Sequence, residues 1–95
     1  PVLIMATAPL GWPNGMADSA SALQNMQVAA SAIGLGACWV NQPHWLTENS
    51  VLRSFLRPYG IRDDEEIYGS IVLGHPDGAM PTPAPRKEGR VTIIS

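Results

Sequence analysis

Basic residues are the first thing this chain is short of. Six Lys and Arg stand against eight Asp and Glu in 95 residues, for a net charge of -2. They are scattered, so there is no cationic stripe for a phosphate backbone, and nucleic-acid binding is excluded. Cysteine is nearly absent too: Cys38 stands alone, which rules out an internal disulfide. No apolar run is long enough to span a bilayer and no signal-peptide pattern is present. A reducing cytoplasm is the expected compartment. Charge of either sign is sparse: 15% of residues are charged, against about 25% in an average soluble chain. With 45% hydrophobic residues, three Trp and nine Pro, too few charges remain to coat a free surface. The composition therefore predicts a chain that is covered, by another part of its own subunit or by a second protomer. Ninety-five residues also bound it to one domain or part of one. Because it opens at Pro1 directly on an apolar run, the sequence reads as starting inside a larger unit.

Several short elements can be read along the chain. Pro1 to Thr7 is a continuous apolar run closed by the turn-forming stretch Pro9 to Gly15, which predicts a buried, central strand. Asp18 suits a helix N-cap, and Ala22, Leu23, Met26, Ala30 and Ile33 recur at helical spacing, giving a helix from about Ser19 to Ile33. Gly34 suits its left-handed C-terminal cap. The Ala and Ser content of this helix leaves a slim face, equally suited to a subunit interface or an ordinary core. Ala37 to Val40 reads as extended, and Asn41 to Trp45 as a loop, because Pro43 disfavours helical geometry at Gln42. Thr47 would cap a second helix of about ten residues with an apolar stripe of Val51, Leu52, Phe55 and Leu56. Pro58 and Gly60 would end it. After the acidic run Asp63 to Glu66, Ile67 to Leu73 predicts another buried strand. A loop from Gly74 to Pro85, rich in proline, closes on Arg86 and Lys87. Val91 to Ile94 then predicts a last short strand.

Few side chains carry chemistry on their own. Cys38 sits between Ala37 and Trp39 in an apolar stretch and reads as a buried, inert thiol; nothing in the spacing sets His44 beside it as a base. His44 and His75 have no companion at metal-ligand spacing, so no metal is expected. Asp63 to Glu66 reads as a solvated face. Gly34-Leu35-Gly36 lacks the preceding strand and third glycine of a dinucleotide fingerprint. Arg86-Lys87 can be an ordinary surface pair, or a phosphate site in which Arg forks onto two oxygens and Lys acts as a point charge.

The order of these pieces carries more than any one of them. An apolar strand is followed by a helix near Asp18 containing Asn25, then by Ala32-Ile33-Gly34-Leu35-Gly36-Ala37-Cys38-Trp39. Arg57 to Asp64, the glycine-punctuated Ile67-Tyr68-Gly69-Ser70-Ile71-Val72-Leu73-Gly74-His75-Pro76 and Pro85-Arg86-Lys87 complete the series. Together they resemble the C-terminal half of the nitroreductase family of FMN-dependent oxidoreductases. The resemblance implies an α+β fold with a mainly antiparallel sheet flanked by helices, in which residues 1–95 form the second half of one domain. The first half, or a partner protomer, would complete it. It implies a homodimer with FMN at the subunit interface, a nicotinamide (NADH or NADPH) giving hydride to FMN, and a nitroaromatic, quinone or similar acceptor reduced in turn. The flavin would carry the chemistry, so no side chain here is assigned as catalytic acid or base. By the same resemblance Trp39, Val40, Asn41 and Gln42 run past the flavin ring, one backbone N–H meeting its hydride-accepting nitrogen, and Arg86 with Lys87 meets the phosphate. Asn41-Gln42 departs from the Glu-Gly of some relatives. Trp39 or Trp45 would stack near the ring, or else serve the core or an interface. Two rival readings are a non-enzymatic relative that keeps only a dimerisation or ligand-binding surface, and an unrelated small α+β binding module.

Overall fold

A computed structural model describes residues 1–95. Its elements, in chain order, are strand β1 (Val2–Pro9), helix α1 (Gly15–Ala32), strand β2 (Gly36–Trp39), the short helices α2 (Gln42–Trp45) and α3 (Ser50–Leu56), a 3₁₀ turn (Arg57–Tyr59), and strand β3 (Glu65–Gly74). The three strands form one antiparallel sheet in the order β1-β3-β2. The fold is thus α+β with an antiparallel sheet and flanking helices, as expected.

The centre of the sheet is β3, and here the reading of β1 is corrected: β1 is an edge strand. A continuous apolar run looks the same whether a strand has neighbours on both sides or is covered by something outside the segment. Val2 and Leu3 remain 58% and 49% exposed, whereas Ile67 and Ile71 of β3 are fully buried. The β1–β3 register runs from Val2 opposite Leu73 to Pro9 opposite Glu65 and slips once, leaving Tyr68 unpaired in a β-bulge.

Helix α1 begins at Gly15, four residues before the expected start. Asp18 is therefore not the cap but lies in the first turn, where its carboxylate still favours the positive end of the helix and accepts the Trp12 indole N–H at 3.2 Å. At the other end Gly34 has φ +81°; Leu35 N–H reaches Ala30 O at 2.9 Å and Gly34 N–H reaches Ser31 O at 3.1 Å. This is the paired bonding of a Schellman cap, which needs a residue without Cβ at Gly34. The helix packs Leu23 and Ala30 against the sheet. Gly69 makes this approach possible, since a Cβ there would lie 2.6 Å from Trp39 Cζ2 and 2.9 Å from Leu23 Cδ1. Gly69→Ala is accordingly expected to destabilise the complete protein by about 1–3 kcal/mol, the usual cost of overpacking. A fall in the thermal midpoint checks this, and an unchanged midpoint would mean that Trp39 and Leu23 move aside freely.

Other expectations are also corrected. Asn41 to Trp45 is not simply a loop: Gln42–Trp45 is one helical turn with Pro43 in its first two positions, where a missing N–H costs nothing. The cap of α3 is Asn49, whose Oδ1 accepts the Leu52 N–H at 3.0 Å, because Thr47 has another task. Of the α3 stripe only Leu56 is buried, while Val51 and Phe55 are 76% and 64% exposed. Cys38 is exposed on β2 rather than buried; β2 is an edge strand, and its short apolar run has nothing over it. Val91 to Ile94 forms no strand. Its β-branched residues have the propensity, but a strand exists only with an edge to pair with, and Val91, Ile93 and Ile94 are 81–93% exposed.

The molecule is a slab of 45 × 41 × 19 Å with a radius of gyration of 16.3 Å, against about 12 Å for a compact domain of this length. Its accessible surface is 7347 Å², where a compact chain of this mass would show about 5,300 Å². The surplus is of the order of a whole protein interface. A shallow apolar hollow of about 380 Å³ between β1 and α3, lined by Leu3, Met5, Phe55, Leu56, Tyr59 and Ile61, is part of it.

Candidate functional site

β2 stops pairing in the ladder at Trp39, opposite Ile71, yet the chain does not leave β3. Val40 N–H donates to Ser70 O at 2.8 Å, and the fully buried Ser70 hydroxyl donates back to the Val40 carbonyl. Further along β3, side chains replace the missing strand. His44 Nδ1 lies 2.7 Å from Ile67 O, and Thr47 Oγ1 accepts Ile67 N–H at 3.0 Å. Both backbone groups of Ile67 are thereby paired right beside the bulge at Tyr68, where a buried strand would otherwise leave them costly. Arg53 holds Thr47 in turn, Nη2 donating to Oγ1 at 3.2 Å and Nε to the Thr47 carbonyl, while Nη1 reaches Arg62 O at 3.1 Å. The His44 imidazole stacks on Tyr68 with centroids 6.3 Å apart and planes 23° apart. Burial, reinforced by the Glu66 carboxylate, pushes the Tyr68 hydroxyl above the ordinary phenol value, so Tyr68 is neutral at physiological pH.

This frame presents two unspent donors. The N–H groups of Asn41 and Gln42, at the start of α2, make no hydrogen bond within the chain, whereas the Val40 amide is taken by Ser70. Asn41 has φ -90° and ψ -9°, and no residue other than glycine has positive φ, so Gln42 fills its position without backbone strain. Asn41 Oδ1 accepts the Trp39 indole N–H at 3.2 Å. The Trp39 ring lies against Gly69, a core position, and Trp45 is 70% exposed. Two adjacent amides at a helix start suit an electron-rich acceptor such as a ring nitrogen or an anion.

Arg86 and Lys87 are exposed, lie beyond the last strand and form no ion pair or hydrogen bond. No hydrogen bond or ion pair ties them to Asn41 or Gln42. The ion pairs that do form, Arg57–Asp63 at 3.1 Å and Arg62–Asp64 at 2.6 Å, are well exposed, so the solvated reading of the acidic run holds for Asp63 and Asp64, whereas Glu65 and Glu66 are half-buried at the start of β3. No helix is long and apolar enough to cross a membrane. The sequence reading missed Arg53, took Thr47 only as a helix cap and Ser70 only as part of a strand, and weighed His44 only as a base or metal ligand. Their partners are as far as 30 residues away, beyond the reach of any local pattern.

Comparison with known proteins agrees with this architecture. The family model described as "Nitroreductase family" matches residues 1–75, a span that includes Trp39 to Gln42 and excludes Arg86 and Lys87. A crystal structure of an FMN-bound nitroreductase from Bacteroides fragilis NCTC 9343 is similar over 100% of this chain, at 28% identity and a TM-score of 0.90. The chain spans only 51% of that protein's length. No curated protein sequence matches it. The reading as an unrelated α+β module is thereby set aside: with a family match over most of its length and half of a solved nitroreductase reproduced throughout, the chain belongs to the nitroreductase family.

Proposed function

We propose that residues 1–95 supply one wall of an FMN site in an NAD(P)H-driven oxidoreductase, and that the site is complete only with the remainder of a nitroreductase domain and a second protomer. The observation that carries this is the pair of free amides at Asn41 and Gln42, held at the end of β2 by bonds to β3, in a chain similar throughout to half of an FMN-bound relative. FMN, when bound, supplies the hydride chemistry. This chain's part is to donate an N–H from Asn41 or Gln42 toward the flavin ring, and with Trp39 and Val40 to hold that segment against the sheet. Arg86 and Lys87 neutralise the phosphate, Arg86 with a forked hydrogen bond. No acid or base from this chain is needed. The acceptor is a nitroaromatic, quinone or similar small molecule, the assembly a homodimer and the compartment the cytoplasm.

The test is direct. The complete protein should purify yellow, and its flavin absorbance should bleach when NADH or NADPH is added without oxygen and return on addition of a nitroaromatic or quinone. A folded, colourless dimer that takes up no added FMN would favour the non-enzymatic reading, to which the large uncovered apolar surface also lends itself.

Cys38 has no part in this scheme. Although it is exposed in the chain, the redox work belongs to the flavin. Cys38→Ser is expected to change turnover by less than about twofold at full flavin occupancy. Loss of activity in the flavin-loaded variant would return Cys38 to the chemistry.

A further inference from the structure

We propose that His44 is a positioning residue for the flavin contact: its bond to the Ile67 carbonyl fixes α2, and with it the amides of Asn41 and Gln42, relative to the sheet. The inference rests on the functional reading just given and assigns a role to a side chain that does not itself reach the flavin.

The physical case begins with the bond. Ile67 O can only accept, so at 2.7 Å His44 Nδ1 must carry the hydrogen. The imidazole therefore acts as a fixed donor, and its Tyr68 stacking partner, itself 92% buried on the sheet, prevents the ring from swinging away. α2 is a single turn of four residues, too short to persist without external support. Its link to β3 on the N-terminal side is the reciprocal Val40–Ser70 pair. On the C-terminal side the links are His44 to Ile67 O and Thr47 to Ile67 N–H. Asn41 and Gln42 lie between these two fixings. Without His44, α2 is held at one end and through a longer loop at Thr47, and the two amides lose their fixed direction. A donor aimed at a ring nitrogen acts only within a narrow range of angle and distance, so the loss is felt at the flavin rather than in the fold at large.

The experiment compares His44→Asn, His44→Gln and His44→Phe in the complete protein. The Asn amide nitrogen falls where Nδ1 was; Gln moves the donor outward by about one bond; Phe keeps the stacking and removes the donor. Three quantities are read: the FMN dissociation constant, the flavin midpoint potential, and hydrogen exchange at Val40, Leu46 and Ile67 in the flavin-free protein. His44→Phe and His44→Gln are expected to weaken FMN binding about tenfold, to shift the potential, and to speed exchange at those amides about tenfold, with His44→Asn close to the natural protein. If His44→Phe does not fold, the Asn and Gln pair decides. Equal behaviour of Asn and Gln, or a folded His44→Phe with unaltered affinity and potential, overturns the proposal. A natural complete protein that takes up no FMN instead brings down the functional reading, and the exchange measurements still decide whether His44 fixes the segment.

Discussion

Expressed alone, residues 1–95 will not yield a yellow, soluble monomer. Only 10 of 95 residues are buried, while large side chains such as Trp12, Val51, Phe55, Tyr59 and Ile33 stand 49–76% exposed. At about 25 cal/mol per Å² of apolar surface withdrawn from water, even half of the roughly 2,000 Å² surplus being apolar would be worth about 25 kcal/mol before the entropy of ordering is subtracted. A chain with that much to gain from being covered aggregates, self-associates, or waits for its complement. Flavin binding fails for a second reason. Under the proposed function Asn41 and Gln42 offer two donors and Arg86 with Lys87 a phosphate charge, and the rest of the flavin falls to residues outside this stretch. Size-exclusion chromatography with absorbance at flavin wavelengths, on the stretch alone and with the other half of the domain supplied, reads the outcome. Rescue of both solubility and colour by the second half is the expected result; a stable yellow monomer from the stretch alone would show that it is complete in itself.

Arg86→Ala should cost the assembled protein about 1.5–3 kcal/mol of FMN affinity, a rise of about 10- to 150-fold in the dissociation constant. The guanidinium forms no ion pair within the chain, so nothing local competes for its charge and nothing local is lost on its removal. Thermal stability of the flavin-free protein should be unmoved. Titration of flavin-stripped protein with FMN separates the two quantities. An unchanged dissociation constant in the folded variant would take Arg86 out of the phosphate site and leave the flavin contact to the segment around Asn41 and Gln42.

What could be read beforehand follows a physical division. Periodicity is local, so the α1 helix, its stop at Gly34 and the β3 strand were visible in residues a few positions apart. The low charge content likewise announced a surface that expects cover. The misreadings occur where a distant partner decides. β1 looked central because apolar continuity says nothing about which neighbour supplies the burial; Val91 to Ile94 looked like a strand because propensity does not report whether an edge is at hand. Thr47 looked like a cap because its hydroxyl is free to be one until Ile67 and Arg53 claim it. The segment Trp39 to Gln42 and the idea of a backbone N–H contact came into view through resemblance; geometry singled out the Asn41 and Gln42 amides, since no side-chain pattern records which N–H groups are left over.

The central strand is also the last of the three along the chain, and this has a consequence for folding. Within residues 1–95 β1 and β2 pair only with β3, and Val2 must find Leu73 roughly seventy positions away. During synthesis both strands leave the ribosome before β3, and these three strands can come together only when the stretch to Gly74 has emerged. At about 5–20 residues per second, that interval lasts a few seconds. Through it α1, at 18 residues the longest helix of this stretch, can form from its own local bonds and act as a seed, with β3 the late-arriving member that draws β1 and β2 together.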